Sequence, residues 1–222
     1  VYSVLPTDGS GDLDFARTTK ATRVNQNGLI EEVAIGVPRL DYTDGGCPSL
    51  LLEGNSTNLI TESELFDNAY WTKSGATVTS GFSAPSVDST LGAFKLVEDT
   101  STSTHGLISS NISFTLNETY TTSVYAKKGE SNFVQLFLGG SAFATLYANF
   151  DLDLGVLGSF SNCTPSITEL SNGWYRCTIT ATSDVSANAA TYIYNIESAT
   201  SVRSESYLGD GTSGVYIFAS QL

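Results

Sequence analysis

From about residue 61 the chain is a succession of short β-favouring runs cut by turn dipeptides, a rhythm that few folds accommodate. Candidate strands run over 76–80, 94–98, 105–109, 112–116, 120–127, 133–138, 142–152, 156–160, 167–170, 174–182, 190–197 and 215–221. Between them stand Lys128-Gly129, Gly139-Gly140, Asn172-Gly173 and Asp210-Gly211, pairs that turn a chain because glycine accepts positive φ. Val, Thr, Tyr and Phe dominate the runs, as a pleated, half-buried surface requires. No long helical periodicity and no tandem repeat interrupts them. One short helix is predicted over 63–70, with Ser63 as cap and Glu64 and Asp67 towards the positive end of its dipole. The expected fold is all-β: a jelly-roll β-sandwich over 61–222.

Residues 1–60 read differently, as an extended arm with a β-hairpin. Asn27-Gly28, flanked by 21–26 and 29–33, predicts a two-residue type I′ turn that sets Arg23 opposite Glu32 and Val24 opposite Glu31. Pro38 cannot donate to a central ladder and interrupts the pattern. The run Leu50, Leu51, Leu52 is too short for a helix and is expected as a strand buried on both sides. The arm lacks the continuous apolar surface to fold alone. It is expected to pack on the main domain or on a neighbouring subunit.

Composition narrows the partners. The net charge is −13, with 8 acids and 4 bases in residues 1–60 and 15 acids and 6 bases beyond, so the acidity is spread rather than held in a tail. Phosphate contacts need clustered Lys and Arg, so the spread acidity argues against nucleic acid as a partner. No apolar run approaches the ~20 residues of a transmembrane helix, and no signal peptide is visible. The chain begins at Val1 and holds no Met, as a processed product or a piece of a longer protein would. Cys47, Cys163 and Cys177 are read as buried small apolar residues, because an Asn172-Gly173 two-residue hairpin sets Cys177 against Thr168, not Cys163. Unbridged thiols suit assembly in a reducing cytosol.

Catalytic chemistry finds little foothold. His105 is the only histidine, no Gly-x-Ser-x-Gly elbow precedes a helix, and no pair of carboxylates stands out, so the chain is read as non-enzymatic. One histidine with scattered cysteines makes no zinc pattern. Calcium stays open as a structural ion. Asp151 and Asp153 share a strand face, and Asp210 lies in a Gly-rich turn whose carbonyls can add ligands, although acids so placed are also simply solvated. Sugar binding needs aromatic platforms beside polar groups. Tyr192 and Tyr194 share one strand face, with Thr191, Ile193 and Asn195 on the other; Tyr125, Trp71 and Tyr70 are further candidates, each with a core role as the alternative.

Arg17–Glu31, Gly36–Tyr42, Cys47–Glu53 and Thr57–Ile60, in that order, resemble an arm found in structural proteins of tailed bacteriophages just ahead of a carbohydrate-binding-like β-sandwich. Asn68-Ala-Tyr-Trp-Thr-Lys73 looks like the junction into that sandwich. Ser123–Lys127 with Gly129, Asn172–Arg176, Gly209–Ile217 and Gln221-Leu222 are similar to a jelly-roll module of the carbohydrate-binding type. The resemblance implies a virion protein: a tail or head fibre, or a decoration that meets host-surface polysaccharide. It also implies a symmetric homo-oligomer or contacts with other virion proteins. A monomeric carbohydrate-binding module of a secreted bacterial protein or polysaccharide-degrading enzyme is the alternative, since one fold serves many functions.

Overall fold

The computed structural model describes residues 15–43, 46–52, 57–86 and 92–222. The chain divides into two compact units between residues 54 and 55. In the first, β1 (Ala21–Val24) and β2 (Ile30–Val33) form the hairpin, and β3 (Leu40–Asp41) pairs with β4 (Ser49–Leu50).

The hairpin differs from its expected register by one residue: Arg23 faces Glu31 and Val24 faces Ile30. The reason is local. The Asn25 carboxamide accepts from the backbone N–H of Asn27 and Leu29, Asn25 N–H donates to Leu29 O, and Gly28 alone takes positive φ (71°). The loop therefore holds three residues, Gln26 to Gly28, a common alternative to the two-residue turn. The slip brings Arg23 within 2.5 Å of the Glu31 carboxylate and leaves Lys20 to pair with Glu32. Elsewhere the Arg17 guanidinium donates to the carbonyls of Val33, Ala34 and Val37, and Asp41 accepts from Val24 N–H. Leu50 and Leu52 are exposed, the latter at 73%, so that run is no doubly buried strand: β4 ends at Leu50 and pairs on one edge only.

The second unit is a jelly-roll β-sandwich. In chain order its strands are β5 (Trp71–Ser74), β6 (Ala76–Ser83), β7 (Gly92–Glu98), β8 (Thr102–Ser103), β9 (His105–Ser109), β10 (Ile112–Phe114), β11 (Thr119–Lys128) and β12 (Phe133–Gly140). There follow β13 (Tyr147–Asp151), β14 (Val156–Ser161), β15 (Thr164–Glu169), β16 (Trp174–Thr182), β17 (Ala187–Asn195), β18 (Tyr207–Leu208) and β19 (Gly214–Gln221). One antiparallel sheet runs β14-β13-β12-β17-β9-β5, with β10 on the far end of β17; the other runs β15-β16-β11-β19-β7-β6. Their inner faces interdigitate through Leu107, Val134, Leu136 and Ile193 from the first, and Leu96, Val124, Ile179, Val215 and Ile217 from the second, all fully buried. Asn195 crosses the layer, its amide donating to Leu96 O at 3.3 Å. Residues 57–60 belong to this unit: Leu59 N–H donates to Leu222 O, and Ile60 is buried.

Several local expectations change. No helix forms over 63–70; Ser63 donates to Ile60 O instead of capping, and Asn68 organises successive turns through Tyr70 N–H and Trp71 N–H. Asn172-Gly173 again sits in a three-residue loop, with Leu170 N–H donating to Trp174 O and Asn172 at φ 61°. Cys177 consequently faces Ile167, one residue from the expected partner. Of the cysteines only Cys177 is buried; Cys163 is half-buried and Cys47 exposed. No described helix is long and apolar enough to cross a membrane.

Candidate functional site

The outer face of the first sheet gathers aromatic side chains. Strand pairing sets Phe137 opposite Tyr192 and Gln135 opposite Tyr194, and residues paired across strands share a face. Phe137 stacks on Tyr192 with ring centroids 4.2 Å apart and planes at 14°, and Tyr194 meets Phe137 edge-on at 5.3 Å. Two glycines make this possible. A Cβ at Gly139 would strike the Tyr192 ring, and one at Gly106 would strike Tyr194. The missing side chains leave room for the two tyrosine rings, which stand at 82° to each other with centroids 5.8 Å apart.

A loop segment closes part of this face. Gln135 and Asn149 are fully buried and hydrogen-bonded to each other at 2.7 Å. Asn149 also donates to Ser201 O and Ala199 O, Gln135 donates to Val202 O, and Ser204 N–H donates back to Gln135. These bonds hold residues 199–204 on the sheet and lay the Arg203 guanidinium over the Phe137 ring at 4.2 Å, inside cation–π range. The Arg203 Nε–H donates to Leu146 O, and burial lowers its affinity for the proton. What remains open is a strip in which half-buried Tyr192 is backed by Phe137, with Ile108 and Thr72 beside it in the cross-strand row and Arg203 at the margin. An apolar ring face next to guanidinium donors is the pairing that a sugar ring and its hydroxyls need.

The predicted residues separate accordingly. Tyr192 lies at the surface of this face. Tyr194 shares the face but is only 4% exposed, and burial raises its phenol above the ordinary value. Trp71 is 1% exposed, donates its indole N–H to Glu62 O at 2.9 Å and packs against Phe66; it is a core residue and cannot offer a platform. Tyr70 is half-buried and edge-on to Trp71. Tyr125 projects from the outer face of the other sheet, facing Arg176. Phe137, Arg203, Gln135 and Asn149 escaped the sequence reading. The β12–β17 register brings Phe137 and Gln135 to Tyr192 and Tyr194, the β12–β13 pairing adds Asn149, and the segment 199–204 adds Arg203, all contacts distant in the chain.

The acids do not converge. Asp151 caps its own turn, accepting from Asp153 and Leu154 N–H, while Asp153 pairs with Lys128. Asp210 accepts from the backbone and hydroxyl groups of Thr212 and Ser213, which hold its carboxyl far below the ordinary range. Asp210 gives both carboxylate oxygens to protein donors, and Asp151 and Asp153 one each, unlike the converging carboxylates of a calcium cage. Among the described residues no three His, Cys, Asp or Glu side chains could together hold a metal ion. His105 is fully buried, its two ring nitrogens facing the carbonyls of Gly75 and Tyr207 at 2.5 and 3.1 Å. Beside it the Tyr207 hydroxyl donates to Glu98, and burial pushes that phenol well above its usual value.

No protein-family model and no curated relative matches the sequence. Among solved structures the chain is similar to the enzymatically active domain of tailspike protein 4 of bacteriophage CBA120, at 16% identity and a TM-score of 0.47 over 74% of this chain and 21% of that one. It is also similar to the N-terminal CBM22-1–CBM22-2 tandem of Paenibacillus barcinonensis Xyn10C, at 11% identity and 0.41 over 79% and 52%. A third is the carbohydrate-binding module TmCBM27, described for specific mannan recognition, at 11% and 0.29 over 75% and 93%. The chain thus spans about a fifth of the tailspike chain and about half of the CBM22 tandem.

Proposed function

We propose that the sandwich is a non-catalytic glycan-binding domain, carried by a surface or attachment protein of a tailed-phage virion. The observation behind glycan binding is the half-buried Tyr192 ring, stacked on Phe137 and flanked by the Arg203 guanidinium. A pre-stacked ring loses little freedom when a sugar lies on it, and the guanidinium supplies donors for hydroxyls. The virion assignment rests on the ordered motifs of residues 17–60 and 68–73. Host-surface polysaccharide is the partner, and a homo-oligomer or attachment to other virion proteins is the assembly. A second reading, a stand-alone carbohydrate-binding module, is favoured by the complete core within the second unit.

A glycan array probed with the full chain and with Tyr192→Ala tests the binding. The wild type is expected to retain at least one glycan, and the variant to lose about tenfold in affinity with little change in melting, since one stacking platform contributes on the order of 1 kcal/mol or more. A folded chain that retains no glycan would overturn the proposal. Light scattering separates the two assemblies: a monomer at micromolar concentration excludes the homo-oligomer and moves the stand-alone module forward.

A further inference from the structure

The outer face of the second sheet carries an unassigned groove of mixed polar and apolar lining. On its floor Thr121 and Ser123 of β11 stand beside Arg176 of β16, and Asn58, Gln221 and Leu222 form a wall. Asn58 is fixed there, accepting from the N–H groups of Ile60 and Leu222 and donating to Ser63. The groove opens onto three neighbouring strands that present hydroxyls at alternate positions. These are Thr164, Ser166 and Thr168 on β15, Thr178, Thr180 and Thr182 on β16, and Thr119, Thr121 and Ser123 on β11. Cross-strand bonds of 2.8 to 3.0 Å link Thr121 to Thr180, Ser166 to Thr178 and Thr119 to Thr182, and they orient the array.

Arg176 is the anomaly in this groove. In a chain with 23 acids it makes no ion pair and no hydrogen bond among the described residues. Its Nε is buried without a partner, and its guanidinium lies 6.0 Å from the centroid of the Tyr125 ring. Buried donors in native proteins are nearly always satisfied, and an unsatisfied one calls for an explanation such as a binding role. Lys127, two residues from Tyr125 on the same face of β11, also has no acidic partner among the described residues. This locally basic spot on an acidic molecule favours an anion. The planar fork of a guanidinium matches a carboxylate in two parallel hydrogen bonds. Hydroxyls of Thr119, Thr121 and Ser123 beside Arg176, with the apolar Leu59, Tyr120 and Leu222 also lining the groove, suit a ligand that bears both hydroxyls and the C–H face of a sugar ring.

We propose that this groove is a second glycan site, specific for a carboxylate-bearing sugar, with the carboxylate on Arg176 and the neighbouring hydroxyls on the Ser/Thr rows. It lies on the opposite sheet from Tyr192 and stands whether or not the Tyr192 face binds sugar.

The full chain is titrated by calorimetry with polygalacturonate, hyaluronan and polysialic acid, beside fully methyl-esterified polygalacturonate and sodium acetate. The Arg176 Nε–H resonance is followed in parallel by NMR. At least one acidic polymer is expected to bind and to move that resonance, with the neutral ester weaker by about tenfold or more. Arg176→Gln is expected to lose the acidic polymer, Arg176→Lys to recover only part of it, and Tyr192→Ala to retain it. The proposal is overturned if no acidic polymer moves the Nε–H signal of the wild type, or if folded Arg176→Gln binds as the wild type does. Acetate displacing the polymer at equal carboxylate concentration would reduce the site to a simple anion site and overturn the sugar assignment. Loss of acid binding in Tyr192→Ala would merge the two sites and overturn their independence.

Discussion

Trp71, Tyr194 and Tyr192 are aromatic side chains with different fates, decided by what meets their polar ends and outer faces. Trp71 gives its N–H to Glu62 O and disappears into the core, so Trp71→Phe is expected to lower stability by about 1–3 kcal/mol through the lost bond and the void, with glycan binding unchanged. Denaturant melts beside the array test this, and a loss of binding at unchanged stability would contradict it. Cysteine reactivity follows burial in the same way. Cys47 is expected to react with a thiol reagent at once and Cys163 slowly, whereas Cys177, whose thiol burial drives far up, reacts only on unfolding. Asp210 sets an acid limit. The hydroxyls and N–H groups of Ser213 and Thr212 depress its carboxyl, so its contribution is present above the unfolded carboxyl's value near 3.8 and is lost as pH falls through the lower folded value. Asp210→Asn should therefore flatten the fall of Tm with pH below about pH 4; an unchanged slope would remove Asp210 from the acid response. In the sequence Tyr192 and Tyr194 look alike, because strand alternation gives both the same face. Tyr194 lies over Gly106 of β9, distant in the chain, and nothing local reports that cover.

At the level of strands and loops, the two Asn-Gly pairs carry the same lesson. Each marks a real hairpin, and each sits at the end of a three-residue loop, so both registers move by one position. In the first, the Asn25 carboxamide caps the turn, a side-chain choice that the Asn-Gly pair does not announce. Strand positions were readable because β-branched and aromatic runs alternate with turn residues. The second buried layer was not, since it depends on an amide network that joins β12, β13 and residues 199–204. Asn149 is the centre of that network. Asn149→Ala strands the Ser201 carbonyl and the Gln135 amide, a loss of about 1–3 kcal/mol. The opening should be local. Hydrogen exchange is expected to quicken first across 199–204, ahead of β12 and β17, and Arg203 should loosen over Phe137 with weaker glycan binding. Uniform acceleration over the whole sheet would instead mean that the segment has no stability of its own to lose.

For the molecule as a whole, the core is distributed very unevenly between the two units. The sandwich holds fully buried side chains from both sheets, including Phe66, Trp71, Leu96, Leu136, Phe137, Phe150, Ile179 and Ile193, whereas the buried apolar residues described in the first unit are Ile30 and Val33. A domain of roughly 170 residues buries most of its chain surface on folding, while one of about 50 residues has little margin without a staple or a partner. The first unit relies on polar devices instead: the Arg17 bonds to three carbonyls, the Arg23–Glu31 pair and the Asp41 cap. Ile35 and Val37 remain exposed beside them. In the sequence residues 1–60 offer no sustained alternation, and the structural division falls between residues 54 and 55. The excised piece 55–222 is therefore expected to melt cooperatively within a few degrees of the full chain, on the grounds that it owns its core and that Leu59 and Leu222 already close it. The excised piece 1–54 should show no cooperative transition. Calorimetry on the three chains decides the point. A drop of more than about 10 °C on excision, several kcal/mol for a domain of this size, would show that the arm contributes to the stability of the sandwich and would make its exposed leucines and isoleucine the first residues to substitute.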